Sequence, residues 1–219
     1  VTLEIEYDEK IAVLNLGGDE NRFSPAFLDD YDAAIDQVVS DGAHGLVTVA
    51  SGKFYSNGLD LEWLSAHPEQ GEEYIGRIHQ FLARTLTLPV PTAAAVVGHA
   101  FGAGAMLALA HDFRVMRADR GYFCLPEVDI RIPFTPGMAA LVQAKLGPQA
   151  AVASMTTGRR FAGPDAEKVG IVDATAGEGE LPGAAIDLLR PLGAKDAGTL
   201  GAIKTTMFGA VARALTDAG

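Results

Sequence analysis

The stretch GHAFGAGAML, Gly98 to Leu107, is made of residue types that suit a site, yet it holds no nucleophile, carboxylate or lysine. Its small residues let a backbone come close to a ligand. A strand is expected to run into it and a helix to run out. The first N–H groups of such a helix lack intrahelical acceptors and carry partial positive charge. Small side chains leave those donors open. That is half of an oxyanion hole, which binds an oxygen that gains charge as a reaction proceeds. GKFYSNGLDLEWL, Gly52 to Leu64, repeats the pattern, with Gly58 in its loop. Two such corners can aim two N–H groups at one point.

Other chemistries lack their residues. Gly102-Ala103-Gly104 is followed by Ala105, Met106 and Leu107, so there is no GxGxxG, and GxxxxGK[ST] and GxSxG are also absent. His99 and His111 have no HExxH around them, and no metal site is expected. His99 reads as a packed or surface histidine. The single Cys124 reads as a small buried packing group and excludes an internal disulfide. A formal charge of −11 argues against nucleic acid and anionic membranes as partners. An anionic ligand would need a local basic patch.

The elements that must position the corners follow from periodicity. With 219 residues, 48% of them apolar and 21% charged, the chain suits a globular domain. TLEIEY and IAVLNL read as a β-hairpin. A helix is expected after Ser24-Pro25, with Phe27, Tyr31, Ile35 and Val38 on one face. GLVTVA, TAAAVVG, FRVM and IVDATA read as buried strands. Helices are expected in LDLEWLSA, EEYIGRIHQFLARTL, Gly102–His111, PGMAALVQAKLG, PQAAVASMTTG, FAGPDAEKVG and two C-terminal segments. Alternating strands and helices predict an α/β fold with parallel pairing. No uncharged apolar run reaches the ~20 residues of a membrane span. VTLEIEYDEK does not read as a signal peptide and ALTDAG carries no peroxisomal tripeptide, so a cytoplasmic location is expected.

The two corners together resemble the crotonase (enoyl-CoA hydratase/isomerase) family. The first matches its F-[SA]-x-G-x-D motif as Phe54-Tyr55-Ser56-Asn57-Gly58-Leu59-Asp60, with one residue inserted. The second matches its G-x-A-x-G strand end. HDFRVMRADRG, LPEVDI, TGRRF and AEKVGIVD extend the likeness over nearly the whole chain. The resemblance implies a repeated ββα spiral core over residues 1–180. A helical C-terminal segment, 181–219, would contact other copies in a homotrimer or dimer of trimers. It also implies an acyl-CoA thioester substrate whose oxygen is held by Leu59 N–H and Ala103 N–H. Coenzyme A would be part of the substrate, with no separate cofactor.

Hydratases of the family carry two glutamates. The place of the first is Met106 here, which cannot move a proton; the second is Glu127. In this respect the chain is similar to the Δ3,Δ2-enoyl-CoA isomerases, particularly the plant peroxisomal type. A single glutamate suits moving a double bond better than adding water. Apolar Phe123, Leu125 and Val128 beside Glu127 are expected to raise its pKa. Ser56, Asn57, Gly58, Asp60, Gly102 and Met106 are expected at the substrate, with Asp60 also capping the short helix. Asp112 reads as a residue that fixes a helix end. Arg22, Lys53 and Lys204 are candidates for the CoA phosphates. Trp63 and Phe81 join Met106 as candidate acyl-pocket walls, and IRIPFTPG as a segment that reshapes that pocket. The alternatives are hydration or another crotonase reaction, with Asp129 or Arg131 as an auxiliary group, and a non-catalytic acyl-CoA binder.

Overall fold

The structure is a computed structural model that describes residues 3–217. The start of the TLEIEY strand at Thr2 and the end of the terminal tripeptide, Ala218 and Gly219, lie outside the described residues. β1 (Glu4–Asp8) and β2 (Ile11–Asn15) form the expected hairpin, with Glu4 opposite Asn15 and Asp8 opposite Ile11. α1 (Pro25–Ser40) begins where Ser24 Oγ accepts from Phe27 N–H at 3.2 Å, with Pro25 in the first turn.

β3 (Gly45–Val49), β5 (Thr92–Val96), β7 (Phe113–Arg117) and β9 (Ala174–Ala176) continue the sheet. Its order is β1-β2-β3-β5-β7-β9, parallel beyond the hairpin. A second parallel sheet holds β4 (Phe54–Ser56), β6 (His99–Phe101) and β8 (Phe123–Cys124). Each of β3, β5 and β7 is therefore followed by a short strand of the small sheet before the chain turns helical. This repeated ββα step is the spiral that the resemblance implies.

The helices are α2 (Leu61–Ala66), α3 (Gly71–Leu86), α4 (Ala103–Ala110), α5 (Glu127–Ile130), α6 (Pro136–Lys145), α7 (Pro148–Thr157), α8 (Gly163–Lys168), α9 (Leu181–Leu189) and α10 (Ala197–Thr216). α4 is buried on all sides, which explains why AGAMLALA has no polar face. α1 and α3 meet through Phe27, Tyr31 and Phe81, joined by Phe23 just before α1, with Tyr31 and Phe81 edge-to-face at 4.5 Å between centroids. Phe81 is thus a core ring and not a wall of the acyl pocket. Leu181, Ala185, Ile186 and Leu189 of α9 cover Val47, Ala93, Ala95 and Val115 of the large sheet. Among the described residues no helix is long and apolar enough to cross a membrane.

Candidate active site

The two glycine corners touch. Gly58 has φ +76°, and a β-carbon there would stand 2.8 Å from Phe101 O and 2.9 Å from Ala103 N. A β-carbon on Gly104 would fall 2.3 Å from Ser56 O. Only glycine allows this approach, because it lacks a β-carbon and tolerates positive φ. Gly102, at φ +53°, turns the chain from β6 into α4, so Ala103 is the first residue of the helix. Neither Leu59 N–H nor Ala103 N–H donates to a protein acceptor among the described residues. Both residues line one cleft of about 340 Å³, as do Asn57, Gly102 and Met106.

The corners are held from below. Asn21 Nδ2 donates to Phe54 O and Tyr55 O, at 3.2 and 3.1 Å, and pins β4. Ser56 Oγ donates to Asn21 O at 2.8 Å and accepts from Gly58 N–H at 3.1 Å. Ser56 is fully buried and its hydroxyl is used internally, so it shapes the corner and does not line the cleft. Asp60 caps α2, its Oδ1 accepting from Trp63 N–H at 3.0 Å, and it too is absent from the cleft wall. Behind α4, His111 bonds to Thr48 Oγ1 at 3.0 Å, and Thr48 to the Tyr55 hydroxyl at 2.7 Å. Burial drives the His111 pKa down to about 4, so its ring stays neutral in this network.

Glu127 opens α5 and faces the second corner. It is 8% exposed, lines the cleft, and its Oε1 lies 3.5 Å from the place of a β-carbon on Gly102. Its Oε2 is buried without a hydrogen-bond partner. Burial lifts its pKa to about 7, opposed only by a hydrogen bond from its own backbone. Phe123 and Leu125 are buried as expected, whereas Val128 is 50% exposed.

The remaining wall is Leu61, Phe101, Pro126, Ile130, Ile132, Pro133, Phe134 and Met138, together with Arg22 and Arg160. Part of it comes from the IRIPFTPG segment, as expected. Trp63 is not in it; its ring stacks on His67 at 4.5 Å and leans on Tyr74 at 5.1 Å. Asp129 and Arg131 are exposed and do not line the cleft beside Met106.

The three candidate cations separate. Arg22 lines the cleft, donating to Leu59 O at 3.3 Å and pairing with Glu20 at 2.5 Å. Lys53 is exposed, outside the cleft, with Nζ 5.4 Å from the Phe54 ring centroid. Lys204 is internal: at 3% exposure it bonds to Asp112 Oδ2 at 2.5 Å and Val90 O at 2.8 Å. It is not available to a CoA phosphate. Asp112 also accepts from Thr92 N–H at 2.8 Å, so it ties α10 to β5 across the start of β7. Arg160, which the sequence offered only within TGRRF, is the cleft cation that residue-by-residue reading missed.

The model of the enoyl-CoA hydratase/isomerase family matches residues 6–218. The chain belongs to the enoyl-CoA hydratase/isomerase family. It is 36% identical over 178 residues to enoyl-CoA delta isomerase 1, peroxisomal, of Arabidopsis thaliana, with 79% of this chain and 74% of the relative covered. To enoyl-CoA delta isomerase 3 of the same plant it is 40% identical over 185 residues, covering 80% of this chain and 76% of the relative. A crystal structure of an enoyl-CoA hydratase/isomerase family protein from Pseudomonas syringae superposes with a TM-score of 0.93 at 25% identity, over 99% of this chain and 94% of that one. In this enoyl-CoA hydratase/isomerase family member, Glu127 is the one carboxylate among the residues that line the cleft.

Proposed function

We propose that this protein is an enoyl-CoA isomerase that converts a 3-enoyl-CoA into the 2-trans-enoyl-CoA. The observation that carries the reading is the pairing of one buried carboxylate, Glu127, with two unengaged N–H groups across a cleft where Met106 is apolar. The resemblance to proteins named enoyl-CoA delta isomerase supports it.

Ionised Glu127 takes a proton from C2 of the substrate. The electron pair moves onto the thioester oxygen, giving a dienolate with double bonds at C1–C2 and C3–C4. Leu59 N–H and Ala103 N–H hold that oxygen, each donor worth roughly 3–4 kcal/mol to the charged state. Protonated Glu127 then delivers the proton to C4, the thioester carbonyl reforms, and the double bond rests between C2 and C3. The two proton transfers are redox-neutral and need no oxidant. A carboxyl whose pKa lies near 7 serves both as base and as acid. The apolar wall from Leu61 to Met138 receives the acyl chain and excludes water. Arg22 and Arg160, at the cleft, are the cations proposed to meet the anionic end of the substrate.

We also carry the homotrimer or dimer of trimers, and a cytoplasmic location, as proposals.

The test supplies a 3-enoyl-CoA and, separately, a 2-enoyl-CoA in water and follows the conjugated thioester absorbance. Gain from the first with no loss from the second supports isomerisation. Loss from the second alone means hydration, and silence in both means another family reaction or a binding role.

A further inference from the structure

A second cavity, of about 500 Å³, shares no lining residue with the cleft. It lies between α10, the end of α6 and the starts of β5 and β7. Most of its wall is apolar, with Phe113, Leu200, Ile203, Met207 and Phe208, while Lys195, Asp196 and Thr199 add polar groups. Ile203 and Met207 are 49% and 65% exposed, so its mouth is open.

Five charged side chains line it: Asp112, Lys145 and Lys204 from the interior, and Lys195 and Asp196 on its exposed side. Lys204 and Asp112 neutralise each other at 2.5 Å. Lys145 is left over. Its Nζ donates to His111 O at 2.8 Å and stands 5.1 Å from the Phe208 ring centroid. Among the described residues no carboxylate pairs with it, so two of its three N–H donors have no protein acceptor. The charged groups around it are Asp112 and Arg114 at the start of β7, Asp173 before β9 and Lys204 on α10, with neutral His111 beside them. Arg114 is itself paired with Asp173 at 3.3 Å. The cavity thus has mostly apolar walls, one largely desolvated ammonium without a carboxylate partner, and one net positive charge on its lining. An ammonium so placed is costly to keep charged without an anion.

We propose that this cavity is a binding site for a monocarboxylate with an unbranched apolar tail. The carboxylate meets Lys145 Nζ and the tail lies along Phe113, Leu200, Ile203 and Met207. A single negative charge is specified because the lining as a whole carries one net positive charge; a doubly charged phosphate would bring more charge than the site neutralises. Burial also lowers the Lys145 pKa to about 8, aided by neighbouring Arg114, so the ammonium is lost above that pH unless an anion holds it.

The experiment is calorimetric titration of the full chain with octanoate, with octanol as the uncharged control. The expected result is one saturable octanoate site per chain at pH 7. Affinity falls at least about tenfold in Lys145→Met and in Met207→Glu, whose added charge sits at the exposed mouth. Glu127→Gln leaves it unchanged, and binding weakens from pH 7 to pH 9.5. Three results overturn the proposal. One is no saturable binding to the unmodified protein. Another is binding lost in Glu127→Gln but kept in Lys145→Met, which puts octanoate in the cleft. The third is an oligomer seen in sedimentation that Met207→Glu dissociates and that takes no octanoate.

Discussion

Glu127 Oε1 lies 3.5 Å from the point where a β-carbon on Gly102 would sit, one residue before the Ala103 N–H. The proton-moving group and the oxygen-binding group therefore meet across one backbone turn. The spacing needs Gly102 twice, for its positive φ of 53° and for the missing side chain. It also puts a carboxylate where water is scarce, which sets the protein's pH behaviour.

Glu127 has a folded-state pKa of about 7 against an ordinary 4.5. A carboxyl raised in this way contributes its stability below the unfolded value and loses it as pH climbs through the folded one. At 1.36 kcal/mol per pH unit, ionisation at pH 8 costs the fold on the order of 3 kcal/mol. Urea unfolding is expected to show Glu127→Gln more stable than the unmodified protein by about that amount at pH 8 and equal to it near pH 4. In the same pH range kcat/KM is expected to rise through about 7 to a plateau, because the base must be ionised in the free enzyme. Equal stability at both pH values would place Glu127 in solvent.

Ala103 is the first residue of α4, a position that accepts proline. Ala103→Pro deletes one N–H and keeps the helix. It is expected to lower kcat by about 10²- to 10³-fold with little change in melting temperature. An unaltered kcat would remove Ala103 from the oxygen site.

Met106 is 1% exposed and lines the cleft. Met106→Glu adds a second carboxylate there. The expected outcome is a less stable protein that consumes 2-enoyl-CoA by hydration and loses isomerase rate. A variant that folds and adds no water would show that the missing glutamate is not what separates the two reactions.

Lys204 holds Asp112 inside the fold. Removing one partner of a buried pair typically costs about 3–5 kcal/mol, and Lys204→Met is expected to lose stability of that order in urea. The KM for enoyl-CoA should not change in the folded fraction. A raised KM with unchanged stability would return Lys204 to the CoA phosphates.

The long elements were legible because their signals are periodic. Ser24-Pro25 announces α1, and Phe27, Tyr31, Ile35 and Val38 mark its buried face. The short strands β4, β6 and β8 were not, since two or three residues carry no period; GKFYSNG reads as loop, though it contains Phe54–Ser56. The corners were legible through Gly58, Gly102 and Gly104, whose small size is the signal. Lys204 misled because a charged residue on a helix reads as solvated, and its partner Asp112 is distant in sequence. Arg160 and Asn21 were missed for the same reason: their contacts with Phe101, Phe54 and Tyr55 come from the fold and leave no local pattern.

The most direct test of the account is the isomerase rate of Glu127→Gln, measured as conjugated thioester formed from a 3-enoyl-CoA at pH 8. The side chain keeps its size and loses the ability to take a proton. The account predicts that the unmodified protein forms the conjugated product and that the variant is slower by about 10²- to 10⁴-fold, while still binding the product. A variant that isomerises at the unmodified rate would contradict it.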